Sequence, residues 1–150
     1  MKESTEIQVA ASLAVFARED NSLLMIRRRY APYKDKLAFP GGFMEVGKED
    51  IFQTAVREFA EETGVHIKTS QISLLDIRSS PTRDPRGHVI DVGFLCIIPK
   101  SVSIAQVTEE TYPTWFFIND IDPDELAFDH KEMLNAVKAE LKRSFYFEST

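Results

Sequence analysis

The sequence predicts an α/β protein, an α/β/α sandwich built around a mixed central sheet. Three observations carry that expectation. Residues 7–16 (IQVAASLAVF) are β-rich and apolar on both faces, as a central strand must be when both faces are covered. Residues 50–63 place an acidic but amphipathic helix in the middle of the chain. Residues 130–144 bring Met133, Leu134, Val137 and Leu141 to helical spacing near the end, the apolar stripe of a helix laid on a core.

The remaining elements fit between these. Glu19, Asp20, Asn21 and Ser22 form a hairpin turn, and residues 23–28 are the returning strand. That strand ends in Arg27, Arg28 and Arg29; strand alternation sends Arg27 and Arg29 to one side and Arg28 to the other. Residues 30–36 read as a loop that leads through Leu37, Ala38, Phe39 and Pro40 to Gly41 and Gly42. Glycines there let backbone N–H groups approach a ligand closely. Gly64 stops the acidic helix. Residues 65–67 and 72–78 read as one or two strands, 79–88 as a turn-rich loop with two prolines, and 88–99 as a long strand into the core. A polar connection, residues 100–111, precedes an aromatic strand at 115–118 and a turn at 119–126. Asp129 and Glu132 have the spacing of a capping box for the last helix, after which Phe145, Tyr146 and Phe147 cover the core or meet a second subunit.

Composition sets bounds. The chain has 150 residues, 43% hydrophobic and 28% charged, the range of a globular domain, and residues 1–150 are read as a single domain. The formal charge of −6 argues against broad nucleic-acid binding, which needs a basic surface. Cys96 is the only cysteine, so no intrachain disulfide can form, and its apolar setting suits a buried thiol. No stretch is long and apolar enough to span a membrane, and the first residues, MKESTEIQ, show no signal-peptide pattern. A cytoplasmic protein is expected.

The acidic helix carries the chemistry. At about 100° per residue, Glu58, Glu61 and Glu62 share one face, at about 0°, −60° and +40°. Arg57 lies roughly 40° beyond Glu61, close enough to pair with it. Phe52, Ala55, Val56, Phe59 and Ala60 form the opposite, apolar stripe. Three neighbouring carboxylates repel and raise one another's pKa unless a cation compensates. The bland alternative is a solvated acidic face. The glycine pair before the helix, Arg57 inside it and Gly64 after it favour a metal site, and oxygen-only ligands select a hard cation such as Mg²⁺, with Mn²⁺ as a substitute.

This stretch, PGGFMEVGKEDIFQTAVREFAEETGV, resembles the signature box of the Nudix hydrolases, G-x5-E-x7-R-E-U-x-E-E-x-G-U, with U a bulky apolar residue. Glu49, Arg57, Glu58, Phe59, Glu61, Glu62, Gly64 and Val65 match. One extra residue lies between Gly42 and Glu49, in the turn before the glutamate-rich half. The resemblance implies the Nudix-type sandwich and hydrolysis of a nucleoside diphosphate linked to another moiety. It implies Glu58, Glu61 and Glu62 as metal ligands, with the backbone oxygen of Gly41 as a further one, and Glu49 behind them. Arg57 would orient the cluster. The general base would be Glu61 or an acid of a later loop, Glu109 or Glu110. Pro81, sixteen residues past Val65, and the segment Asp84-Pro85-Arg86-Gly87-His88 resemble the ADP-ribose pyrophosphatases of that family. Arg83 and Arg86 would then meet pyrophosphate or ribose, for which arginine forks are suited, and Arg27 and Arg29 would add phosphate or base contacts. The expected substrate is ADP-ribose, giving AMP and ribose 5-phosphate. The alternatives are a nucleoside triphosphate pyrophosphohydrolase of the house-cleaning kind and a non-catalytic nucleotide sensor. A homodimer is an open expectation.

Overall fold

The computed structural model describes residues 6–104 and 111–149, with side chains as far as Phe145. Its centre is β1 (Gln8–Ala17), which pairs in parallel with β6 (Val89–Ile98) along its whole length, from Gln8↔Val89 to Ala17↔Ile98. Alternation on β1 sends Ala11, Leu13 and Val15 to one face and Ala14 and Phe16 to the other, and all five are buried. That explains why the strand is apolar throughout: each face is covered by its own helix.

The helix α1 (Ile51–Thr63) covers the first face, packing Ala55 and Phe59 against Leu13, Val15, Leu24 and Phe94. Phe59 is fully buried, a transfer contribution of about 3 kcal/mol. The second face takes α2 (His130–Ser149), whose Met133, Leu134, Val137 and Leu141 lie on Phe16, Met25, Phe39 and Leu95. The α/β/α layering expected from the sequence is the observed one.

Among the described residues, seven strands form the sheet. The order is β3 (Leu37–Ala38), β2 (Ser22–Arg27), β1, β6, β5 (Ser73–Arg78); β4 (Gly41–Phe43) also pairs with β1, and β7 (Thr114–Phe117) with β2. All pairings except β1–β6 are antiparallel. One edge of β1 is thus divided. Its end pairs with β2 (Phe16↔Leu23) and its first half with β4 (Ala10↔Phe43, Ser12↔Gly41). The divided edge fixes the glycine turn over the start of β1, beside α1.

Local chemistry explains the boundaries of α1. Asp50 accepts from the Gln53 N–H (2.8 Å) while the Gln53 side chain accepts from the Asp50 N–H (2.9 Å), a reciprocal cap that contributes about 1 kcal/mol. Gly64 closes the helix in the left-handed region (φ 75), donating its N–H to the Ala60 carbonyl.

The structure differs from the sequence expectation in five places. Residues 65–67 are not a strand; Val65 and Ile67 pack on the α1-side core and a 3-10 turn, Thr69–Gln71, follows. The residues between the 30–36 loop and the acidic helix, given no strand in the sequence expectation, hold the short strands β3 and β4. Residues 119–126 hold the 3-10 turns Ile118–Asp120 and Pro123–Glu125. Asp129 does not act as the expected capping-box residue, because Arg78 and Arg83 take both of its carboxylate oxygens. Finally, α2 runs five residues past Ser144, and Phe145 lies 6.3 Å from Phe16, covering the core. Cys96 is buried and unpaired. Trp115 anchors the 100–104 segment by donating to the Val102 carbonyl at 3.0 Å. Among the described residues no helix is long and apolar enough to cross a membrane.

Candidate active site

The acidic face of α1, the glycine turn and the loops before β6 and α2 surround one cavity of about 330 Å³. Glu58, Glu62, Gly41, Gly42 and Phe43 form one wall; Arg28, Asp84, Arg86, Phe128 and His130 stand around the rest.

Arg57 organises the acids. Its guanidinium forks Glu49 through Nε (2.7 Å) and Nη2 (3.0 Å), reaches Glu58 (2.9 Å) and Glu61 (3.2 Å) through Nη1, and donates to the Phe43 carbonyl (3.0 Å). One side chain therefore ties three glutamates to β4, the strand that carries the two glycines. Its two hydrogen bonds hold Glu49 far below the usual carboxylate range, at about 2, aided by the Thr54 hydroxyl and the Glu45 N–H. The extra residue between Gly42 and Glu49 does not disturb this. It is absorbed in the turn closed by the Lys48 N–H on the Glu45 carbonyl, where Val46 is exposed, and Glu49 still meets Arg57.

Glu58 and Glu62 face the cavity. Burial pushes Glu58 up in spite of Arg57. Burial pushes Glu62 up to about 8, against the opposing Gly41 N–H bond (3.2 Å) and with help from the Glu58 charge. Gly42 makes room for Glu58: a Cβ there would come within 2.3 Å of the Glu58 carboxyl carbon. Glu61 is exposed and does not line the cavity; Arg57 holds it. The three carboxylates share a face, as the helix spacing requires, and Arg57 bonds to two of them, Glu58 and Glu61. Among the described residues no three acid, His or Cys side chains form a ready-made metal cluster. The donor set still fits a hard divalent cation. Two acids stand desolvated beside a backbone glycine turn, and their raised pKa values mark unmet negative charge that such an ion would satisfy.

The arginines are arranged differently from the sequence expectation. Arg28, not Arg27 or Arg29, reaches the main cavity. It donates to the Pro32 carbonyl (2.7 Å) and lies 4.9 Å over the Phe128 ring. Arg27 donates to the Asp35 carbonyl (2.8 Å) and Arg29 stacks on Tyr112; both border a smaller hollow that shares Arg28 and Glu62 with the main cavity. Arg83 lines the cavity, but its guanidinium forks Asp129 (2.9 and 2.8 Å), so the fork expected to meet phosphate is already engaged. Arg86 is held by Asp84 (3.0 and 2.8 Å) and placed 5.0 Å from the Phe43 ring and 5.5 Å from Phe128. Pro81 is exposed in the loop and does not line the cavity. Glu109 and Glu110 lie outside the described residues; Thr111, which follows them, donates to the Glu62 carbonyl at 2.7 Å.

Sequence reasoning missed Arg28, Phe43, Asp84, Phe128 and a buried ionic group behind the cavity. In that group Asp91 accepts from Ser12 (3.0 and 2.9 Å) and Arg78 (2.7 Å), and Arg78 also meets Asp129 (2.8 Å) and Asp76 (3.2 Å). Burial alone would raise Asp91, but His130, Arg78 and Arg83 outweigh it and hold its carboxyl well below the usual range. One signal was present: Asp91 interrupts an otherwise apolar strand, and a buried acid must find partners.

Comparison with known proteins adds to this geometry. The family model described as NUDIX domain matches residues 6–137. A protein of Methanocaldococcus jannaschii described as ADP-ribose pyrophosphatase is 40% identical over 117 residues, 77% of this chain and 65% of that relative. The "ADPR responsive transcriptional repressor NtrR" of Acinetobacter baylyi is 26% identical over 136 residues, 89% of this chain and 54% of that protein. This chain thus spans between about half and two thirds of these relatives' length. Among solved structures, the bifunctional NMN adenylyltransferase/ADP ribose pyrophosphatase of Francisella tularensis, complexed with AMP and a Mn ion, superposes with a TM-score of 0.77. It is 23% identical, covering 93% of this chain and 43% of that one, and so bears on the fold alone.

Proposed function

Because the chain belongs to the Nudix family, we propose that it hydrolyses the pyrophosphate of a nucleoside diphosphate linked to another moiety, with ADP-ribose as substrate and AMP and ribose 5-phosphate as products. The observation that carries this reading is the cavity in which Glu58 and Glu62 line one wall while Arg28 and Arg86 stand around the rest. A pyrophosphate needs cations on both sides; the arginines supply one side, and the acids call for a metal on the other. The choice of ADP-ribose rests on the archaeal relative's description and on the loop that holds Arg86.

In this reading Glu58, Glu62 and the Gly41 carbonyl would hold Mg²⁺, or Mn²⁺ in its place, with Glu61 as a further ligand. When bound, the cation neutralises the phosphate oxygens and acidifies water. Arg57 keeps the glutamates in place through Glu49 and the Phe43 carbonyl. Arg28, and Arg86 through the Nη1 that the Asp84 fork does not use, take the substrate's phosphate oxygens, and Phe43 and Phe128 give the cavity an apolar wall for the base or sugar. Water attacks phosphorus, its proton passes to a carboxylate, and the bridging oxygen leaves with one phosphate. Glu61, exposed beside Arg57, is one candidate for that proton, and Glu109 and Glu110 are the others.

A substrate panel tests the reading. With ADP-ribose, dATP, 8-oxo-dGTP and NADH at saturating Mg²⁺, ADP-ribose is expected to be cleaved with the highest kcat/KM. A strong preference for a triphosphate would replace the substrate assignment with the house-cleaning alternative. The similarity to an ADPR-responsive repressor favours a second reading, a sensor; ADP-ribose binding without turnover would support it.

A further inference from the structure

We propose that His130 is a positioning residue: through Nδ1 it holds the Phe39 amide, and with it the turn at residues 40–42 against which Glu58 and Glu62 rest. The proposal rests on the site described above and goes beyond it, because His130 is the first residue of α2, on the opposite layer from the acids.

The turn needs outside support. Registered pairing of β3 with β2 ends at Ala38, opposite Ile26, and β4 begins at Gly41. Phe39 is 2% exposed, so its N–H is cut off from water and must find an acceptor. That acceptor is His130 Nδ1, at 3.1 Å. An amide can only donate, so Nδ1 carries a lone pair and the ring proton sits on Nε2. Nε2 faces the Asp91 carboxylate at 3.7 Å. Asp91 is itself fixed by Ser12 and Arg78, and the charges around His130 are Asp91, Arg78 and Arg83. The rings of Phe39 and Phe128 flank it at 5.7 Å each.

Asp91 therefore braces the turn from both sides. On one side its charge faces His130 Nε2 and favours the proton there, leaving Nδ1 to hold Phe39. On the other it holds Ser12, the partner of Gly41 in the β1–β4 register. Ser12 packs so closely that a Cβ on Gly41 would meet its Cα and Oγ at 2.9 Å. Between these supports the Pro40 carbonyl accepts from Leu13 (2.9 Å). Beyond them the Gly41 N–H reaches Glu62, and Gly42 abuts the Glu58 carboxylate. A shift at Phe39 passes through two residues to both acids.

A buried histidine that merely fills the core would affect stability and nothing else, and the test separates the two. His130→Leu removes the acceptor at similar volume, whereas His130→Asn offers an amide oxygen to the Phe39 N–H. With ADP-ribose and Mg²⁺, His130→Leu is expected to lose about 10-fold or more in kcat with little change in KM, and to bind Mn²⁺ about 10-fold more weakly without substrate, the range seen when a residue supporting metal ligands is lost. His130→Asn is expected to recover most of both. Wild-type kcat and Mn²⁺ affinity in His130→Leu, or an Asn variant as impaired as the Leu variant, would overturn the proposal. Should His130→Leu fail to fold, ¹⁵N NMR of the wild-type protein decides. The Nε2–H tautomer with a slowly exchanging Phe39 amide supports the proposal, and the Nδ1–H tautomer overturns it. Mn²⁺ binding and the tautomer need no turnover, so an inactive protein would refute the substrate assignment and leave this test standing.

Discussion

Glu62 is buried against the Gly41 N–H, and that burial pushes its carboxyl up to about 8. At neutral pH the metal-free fold must either protonate this group or bear a desolvated charge next to Glu58. Glu62→Gln keeps an acceptor for Gly41 and removes the charge. Two effects of opposite sign are expected: turnover falls by roughly 10² or more, and the Tm of the metal-free protein rises, by about 2–4 °C for each ~1 kcal/mol gained at this chain length. Activity assays and thermal melts in a chelator check both; a variant that is less stable and still active would contradict the assignment of Glu62 to a cation. Arg57 gives the complementary case. Its fork serves Glu49, Glu58, Glu61 and the Phe43 carbonyl together. Arg57→Lys keeps the charge but not the fork, and a loss of about 10² in kcat is expected. Near wild-type kcat would show that charge alone suffices.

The glycine turn shows how an element divides stability from function. A side chain on Gly41 would meet the Ala11 carbonyl oxygen at 2.2 Å, a backbone atom at the heart of the sheet; one on Gly42 would meet the movable end of Glu58 at 2.3 Å. Gly41→Ala is therefore expected to destabilise the fold by about 1–3 kcal/mol, as overpacking does. Gly42→Ala is expected to leave the melting temperature nearly unchanged while displacing Glu58 and lowering kcat by about 10-fold or more. Denaturant titrations beside kinetics distinguish them. Equal loss of stability in the two variants would mean that Glu58 cannot yield, and that the turn is rigid on both sides.

At the scale of the whole molecule, the sequence showed those parts in which neighbours along the chain are neighbours in space. The face shared by Glu58, Glu61 and Glu62, the stop at Gly64 and the two-sided core strand follow from helix and strand periodicity. What joins distant segments was not legible. Arg28 enters the cavity although strand alternation could not tell which side faces it. Arg83 looked free for phosphate in its loop, yet it is claimed by Asp129, forty-six residues on. Asp91 gathers Ser12, Arg78 and His130 from three other elements, and no spacing rule reveals such partners. That buried group also sets the acid limit of the fold. Against their burial, Asp84 and Asp129 are held below the usual value of 3.8 by arginines, and Asp91 by His130 followed by Arg78 and Arg83. Their stabilisation is fully present well above 3.8 and is lost progressively as pH falls from there through their lower folded values, because the unfolded chain takes up protons first. Denaturant melts should show stability falling steadily below about pH 4. Asp91→Asn should flatten that limb and, by leaving Arg78 short of a partner, lose about 3–5 kcal/mol at pH 7. A wild-type limb unaltered in Asp91→Asn would contradict this. In the proposed function, the acids of α1 and the arginines across the cavity cleave a pyrophosphate with the help of a divalent cation. Its most direct test is to incubate the purified protein with ADP-ribose and resolve the products by chromatography, with Mg²⁺, after chelation, and after Mg²⁺ is restored. AMP and ribose 5-phosphate should form in equal amounts, stop with the chelator and resume with the metal; intact ADP-ribose in all three, at concentrations that saturate binding, would contradict the claim.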